Sequence, residues 1–215
     1  NNKKILLVNL AKGTTGEVNS NLLGLIIVSK LQMAAMKRVA LPEGQRNDFY
    51  LYLDEFQNFV TDSIATILSE ARKYRLDLTI AHQYIGQLVR NNNDTKIRDA
   101  VFGNAGTMIA FRVGVEDAET LAQEFAPVFN EYDVINVEMY TANVKLLIDN
   151  TASKPFNMQT YPPEPGSSET AQKITELSRL KYGRDRKAVE AEIMEKSKLG
   201  EPASTQGPPV GERNM

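Results

Sequence analysis

Residues 49–59, FYLYLDEFQNF, decide the fold. Five apolar and aromatic residues with high strand propensity run directly into two adjacent acids, Asp54 and Glu55. The next strand candidate, residues 76–81 (LDLTIA), ends at His82-Gln83. Between the two, residues 62–74 carry Ile64, Ile67, Leu68 and Ala71 at steps of three and four, the spacing of a helix with one buried face. A strand, a helix and a strand of these lengths read as a crossover unit with parallel strands.

Working outward, residues 3–10 (KKILLVNL) read as another strand. Its continuous apolar middle suits burial on both faces. Residues 11–19 form a loop with Gly13 and Gly16, and Ser20 is placed to cap a helix reaching about Lys37. Pro42-Glu43-Gly44 opens a polar loop. Downstream, residues 85–103 are helical with a break at Asn91-Asn92-Asn93. Residues 107–113 (TMIAFRV) make a fourth strand, 116–125 a helix closed by Pro127, and 143–148 (NVKLLI) a final strand. The alternation predicts an α/β domain with a mostly parallel sheet flanked by helices. The pattern decays at Lys154. The expected organisation is a core over 1–160, a Pro/Gly/Ser linker over 161–168, a helical extension over 169–198 and a disordered tail over 199–215.

Composition narrows the chemistry. The chain has 215 residues, enough for one sizeable core and a tail. Cysteine is absent, which excludes a disulfide scaffold, a thiolate metal site and a cysteine nucleophile. His82 is the one histidine, so a zinc site is not expected. Formal net charge is -2, so no global basic field announces nucleic acid. DNA contact would need a local surface or subunits arranged around a pore. The apolar run 5–8 is too short for a signal peptide, and 22–28 is far short of the roughly 20 apolar residues that span a bilayer. The chain is expected to be soluble and, lacking an initiator methionine, to be a fragment.

The acids at the end of FYLYL have a chemical reading. Hydrolysis of a nucleoside triphosphate needs one carboxylate near Mg²⁺ and a second to activate water. Open α/β sheets bind ligands at the carboxyl edge of their strands, where Asp54 and Glu55 would stand. Asp54 would hold Mg²⁺ through water, and Glu55 would orient or deprotonate the attacking water. A charged strand exit without function reads the same way. Gln83, at the end of the next strand, could touch both the attacking water and the γ-phosphate, and is equally an ordinary polar strand end. His82 is read as a strand-end histidine rather than a ligand. Arg72 and Lys73 sit where cations suit a helix C-terminus. Arg72 has a sharper reading as an arginine finger reaching a neighbouring subunit.

Taken in order, LYLDEFQNF, ILSEARKYRLDLTIAHQY and GNAGTMIAFRVGVEDAETLAQEF resemble the conjugative DNA-transfer ATPases of type IV secretion. These coupling proteins belong to the FtsK/HerA-like group of P-loop motors. KKILLVNLAKG and YTANVKLLIDNTASKPFNMQT are also similar to segments of that family, so the resemblance covers roughly residues 3–160. It implies the C-terminal part of a RecA-like core that binds ATP and Mg²⁺. It implies Asp54 and Glu55 as the Walker B pair, Gln83 as the family's glutamine at the next strand end, Arg72 as a residue presented to the adjacent subunit, and Arg112 as a weaker candidate for contacts near nucleotide or a neighbour. Hexameric rings, DNA in a central channel, and secretion-channel and relaxosome partners follow from the same resemblance. So does a place on the cytoplasmic side of the bacterial inner membrane, with any membrane anchor outside this chain. An ATPase of the same group serving protein or pilus subunits, and a non-catalytic assembly module, are the alternatives.

One departure stands out. No G-x-x-x-x-G-K-[ST] occurs, and residues 11–20 (AKGTTGEVNS) hold Lys12, Gly13 and Gly16 in the wrong order for a phosphate cradle. The family order places that loop upstream of Asn1, so this piece alone is expected to be inactive. Lys30, Lys37, Arg38, Arg90, Lys96 and Arg98 are candidate phosphate-backbone contacts, or a solvated helix face. The basic run 179–187 (RLKYGRDRK) is read as a solvated helical turn.

Overall fold

The computed structural model describes residues 4–59, 62–90 and 93–197. The described residues form two compact units, divided between Pro162 and Pro163. The expected tail over 199–215 lies outside the described residues.

A short helix α1 (Lys12–Thr15) leads into the long helix α2 (Glu17–Met36). Gly16 joins them with φ 81, a left-handed conformation that glycine adopts without a Cβ penalty. Gly16, not Ser20, is therefore the cap of α2. Ser20 lies one turn inside the helix, 1% exposed. Strand β1 (Phe49–Leu53), helix α3 (Asp62–Glu70) and strand β2 (Leu76–Ile80) follow. A tight 3-10 turn, Ala71–Tyr74, continues α3, and Arg75 turns the chain into β2 through a left-handed residue. β1 and β2 pair in parallel, Phe49 opposite Leu76 through Leu53 opposite Ile80, with α3 as the crossover. The strand–helix–strand reading of FYLYL to LDLTI is thus found.

The mostly parallel sheet is not. Helix α4 (Lys96–Asn104) leads to β3 (Met108–Ala110), helices α5 (Val115–Phe125) and α6 (Glu131–Ile135), and strand β4 (Thr141–Lys145). A two-residue hairpin, β5 (Leu147–Ile148) and β6 (Thr151–Ala152), precedes β7 (Phe156–Gln159). β3, β4 and β7 form a separate antiparallel sheet in the order β3-β4-β7. Among the described residues, β1–β2 is the one parallel pair. Apolar runs reveal burial but not direction, and β3 and β4 read alike for either partner.

Residues 4–10 also depart from expectation. They join no ladder, and Ile5 and Leu7 are 88% and 78% exposed. A strand exists only where a second strand accepts from its N–H groups and donates to its C=O groups, and a hydrophobic run does not encode that partner.

Two cores result. In one, Val28 and Ala35 of α2, Ile67 of α3, Leu76 of β2 and Ile97 and Val101 of α4 enclose Phe56, which is fully buried. In the other, Ala118, Leu121 and Phe125 of α5 pack with Val134 of α6, Ala110 of β3 and Ile85.

The second unit contains helices α7 (Ser168–Tyr182) and α8 (Arg186–Ser197), neither with a buried residue. Ser167 caps α7 by accepting the Thr170 N–H at 3.2 Å. Pairs four residues apart, Lys173 with Glu169, Arg186 with Glu190 and Lys196 with Glu192, support these exposed helices.

Phe56→Ala is expected to lower the unfolding free energy by about 3–5 kcal/mol, because its cavity opens at the centre of the first core. Tyr52→Ala, on the exposed side of β1, should cost less than about 1 kcal/mol. Urea unfolding of the two variants measures both, and equal losses would contradict this placement of the core.

Candidate hydrolytic site at the carboxyl edge of the parallel strands

The parallel ladder continues past the last paired residues. The Ala81 N–H donates to the Leu53 carbonyl at 2.9 Å, and the Phe56 N–H donates to the Ala81 carbonyl at 3.0 Å. Asp54 and Glu55 therefore bulge out between two fixed points of the backbone. Buried Phe56 anchors the far side. Asp54 Oδ1 accepts the Glu55 N–H at 3.0 Å, and Glu55 takes φ 50, a left-handed conformation rare for a residue with a Cβ. This bulge aims the Glu55 carboxylate along the sheet edge toward β2.

There both oxygens of Glu55 meet amide donors. Gln83 Nε2 donates to Oε1 at 2.5 Å, and Gln57 Nε2 donates to Oε2 at 2.7 Å. Gln83 is held in turn, since its N–H donates to Gln87 Oε1 at 3.0 Å. The following turn, Ile85–Leu88, is fixed by Asp117 of α5, whose Oδ2 accepts the Ile85 N–H at 3.0 Å in a buried position. Two neutral amides hold the carboxylate without neutralising it. Each carboxylate oxygen keeps a second lone pair for a further donor such as water. The structure thus brings Glu55 and Gln83 together, with Asp54 beside them.

Arg72 is elsewhere. It precedes β2 and stands at the amino edge of the parallel pair, whereas Asp54, Glu55 and Gln83 stand at the carboxyl edge. A five-residue strand separates these edges by roughly 16 Å. Arg72 Nη1 donates to Asn150 Oδ1 at 3.2 Å, at the tip of the β5–β6 hairpin. Arg112 lies beyond the end of β3 and is exposed.

His82 is half-buried beside this edge. Burial holds its pKa below the ordinary 6.5, partly offset by the nearby Asp117 carboxylate. Among the described residues no group of three or more His, Cys, Asp or Glu could hold a metal ion.

The segment around Gly13 and Gly16 is not a phosphate cradle. The N–H groups of Thr14, Thr15 and Gly16 donate to carbonyls of Ala11 and Lys12 within the α1 turn. Lys12 Nζ meets Glu17 at 3.3 Å and Asn58 at 3.4 Å. Arg38 and Arg98, both candidate DNA contacts, are engaged within the chain. Arg38 donates to the carbonyls of Asn47, Tyr74 and Arg75 and lies 5.7 Å over the Phe49 ring, so it braces the start of both strands. Arg98 pairs with Asp99 at 2.9 Å. Lys30, Lys37 and Lys96 are exposed.

Sequence reasoning missed Gln57, Asp117 and Asn150. Gln57 was within reach, two residues after the acid and on the same turn. Asp117 and Asn150 act across 32 and 78 residues of chain, a pairing no local pattern encodes.

A protein-family profile described as the TraM recognition site of TraD and TraG matches residues 48–159, slightly more than half of the chain. The chain belongs to this family. The matched span starts just before β1 and closes at the end of β7, so the parallel pair, both edges of the site and the antiparallel sheet all lie within the TraD/TraG-type region. The resemblance to conjugative coupling proteins is borne out. Among solved structures, the unbound monoclinic form of the bacterial conjugative coupling protein TrwBdeltaN70 matches at 15% identity and TM-score 0.47. That match covers 60% of this chain and 35% of the other, so the chain spans about a third of that structure's length. No curated protein matches the chain.

The lowered pKa of His82 has a sign that can be measured. Above about pH 6.5 both folded and unfolded chains carry a neutral imidazole. As pH falls through that value the unfolded chain takes up a proton that the folded one resists, and stability drops. His82→Gln should remove this part of the slope between about pH 7 and about pH 5.5 in urea unfolding. An unchanged slope would show that His82 titrates normally.

Proposed function

We propose that the chain is the Walker B part of a RecA-like, ATP-hydrolysing motor that drives DNA transfer in conjugation or type IV secretion. The observation that carries this reading is the Glu55 carboxylate, held between Gln57 and Gln83 at the carboxyl edge of two parallel strands. A carboxylate so oriented is a general base for water, and the two amides fix the direction in which it accepts the proton. Gln83 links this base to the exit of β2, so it can also respond to what stands beyond the base.

The fit to ATP and Mg²⁺ is to the hydrolytic half. Asp54 is exposed beside Glu55 and supplies the one carboxylate that a largely hydrated Mg²⁺ requires. When bound, Mg²⁺ would neutralise charge on the phosphate oxygens. Residues 11–16 do not form the phosphate cradle, since the N–H groups of Thr14, Thr15 and Gly16 are bonded within the turn, so it would come from another part of the full-length protein. Because Arg72 stands at the opposite edge of the sheet from Glu55, it would serve the site of an adjacent subunit in a ring of six. DNA would pass through the centre of that ring without sequence-specific contacts.

The family's description names TraM recognition in TraD and TraG. We extend that to a relaxosome-type partner docking on residues 48–159. Secretion-channel proteins are the remaining partners. The cytoplasmic side of the bacterial inner membrane is the corresponding location; among the described residues no helix is long and apolar enough to cross a membrane.

In the full-length protein Glu55→Gln is expected to lower kcat for ATP hydrolysis by at least about a hundredfold while nucleotide binding persists. Steady-state turnover and equilibrium binding of a labelled nucleotide measure the two. Turnover equal to wild type would make Glu55 a plain charged strand exit. Duplex or single-stranded DNA should raise the turnover rate. Stimulation by a secreted protein and not by DNA would favour a motor for protein or pilus subunits. Mixing the Glu55→Gln and Arg72→Ala proteins should restore part of the activity, because some interfaces then hold an intact acid and an intact arginine. Complete absence of rescue would argue against a shared site.

A further inference from the structure

We infer that Asn150, at the tip of the β5–β6 hairpin, is a positioning residue that aims the Arg72 guanidinium without discharging it. The inference rests on the reading of Arg72 as an arginine offered to a neighbouring site.

The hairpin is built to hold a fixed point. Its two turn residues, Asp149 and Asn150, both take left-handed conformations, φ 49 and φ 61. Such turns match the twist of short antiparallel strands, and Asn, Asp and Gly adopt them most readily. The base of the hairpin is clamped three times. The Ser153 N–H donates to the Leu146 carbonyl at 2.7 Å, and Ser153 Oγ accepts the Leu146 N–H at 2.9 Å. The Leu147 N–H donates to Thr107 Oγ1 at 3.1 Å, which ties the hairpin to the approach to β3. The Leu147 side chain fills the space that a Cβ on Gly106 would need, so the hairpin and the segment before β3 are in close contact.

The tip delivers one acceptor to one donor, Asn150 Oδ1 to Arg72 Nη1. Arg72 sits on an exposed 3-10 turn and carries a long side chain with several rotatable bonds. Left alone it would sample many directions. One hydrogen bond from a rigid hairpin removes much of that freedom in advance, which is how positioned groups gain effectiveness in catalysis. The acceptor is an amide, so the guanidinium keeps its charge and its other N–H groups for an anion. The nearby acid Glu70 is occupied elsewhere, pairing with Lys73 at 3.6 Å and accepting from Tyr74 Oη at 3.1 Å. An anionic group of the size and charge of a phosphoryl oxygen is the ligand that suits the exposed guanidinium.

The experiment uses the full-length protein. Asn150→Gly keeps a residue that favours the left-handed turn and removes only the amide. It is expected to lower kcat roughly tenfold to a hundredfold with KM for ATP and thermal midpoint unchanged. In an Arg72→Ala background the same substitution should have no further effect on kcat. If Arg72→Ala abolishes turnover while Asn150→Gly stays within about twofold of wild type, the positioning role is wrong and the role of Arg72 stands. If Asn150→Gly lowers kcat equally with or without Arg72, it acts through structure and not through the arginine, and the inference falls. If Arg72→Ala leaves kcat unchanged, both the role of Arg72 and the inference built on it are overturned.

Discussion

The backbone hydrogen bonds between β1 and β2 are the constraint on which the rest of the first unit depends. Five residues of each strand are in register, and the ladder runs on through Leu53, Ala81 and Phe56. That continuation makes Asp54 and Glu55 a bulge of defined shape instead of a loose loop. It sets Gln83 opposite Glu55, since the two strands leave the sheet side by side. It also commits Arg72 to the other edge, because the helix that returns the chain must enter β2 from its amino end. Arg38, which the sequence offers as a DNA contact or part of a solvated helix face, reinforces the entry edge by binding three carbonyls there.

How much of this was legible can be traced residue by residue. FYLYL and LDLTI are short, apolar and bounded by polar residues, and the helix between them shows its period, so the parallel unit was readable from composition and spacing. The acids and Gln83 were readable because strand ends in such units fall on one edge. Long-range pairing was not readable. KILLV resembles a buried strand in every local respect and yet joins no ladder, while β7 follows Lys154, where the apolar pattern had faded. Ser20 is a good cap by type, but Gly16, four residues earlier, had already turned the chain. In each case the deciding fact was a contact with residues distant in sequence or a backbone angle, and neither leaves a periodic trace.

The exit of β2 is joined to the second core through Ile85, and part of that link is a hydrogen bond to a carboxylate. Asp117 belongs to α5 in the second core, yet it accepts the N–H of Ile85 immediately after the Gln83 segment, beside half-buried His82. A buried carboxylate bonded to backbone is costly to disturb, because removing its donor leaves it desolvated and unpaired. The exit of β2 is therefore tied both to the acid pair at one side and to the antiparallel sheet's helices at the other. The second unit follows different physics. With no buried residue, α7 and α8 rely on caps and spaced ion pairs, each worth only tenths of a kcal/mol to about 1 kcal/mol.

The left-handed backbone at Glu55 places two demands on a single position. Chain geometry would favour glycine, or the short side chains of asparagine and aspartate, which tolerate that conformation better. The two amide donors require a carboxylate at glutamate length. No one residue type satisfies both, so backbone conformation and side-chain hydrogen bonding pull in opposite directions there. On the proposed role of Glu55 as a base, a glutamate kept at a left-handed position would record selection on chemistry beyond what its hydrogen bonds return to folding.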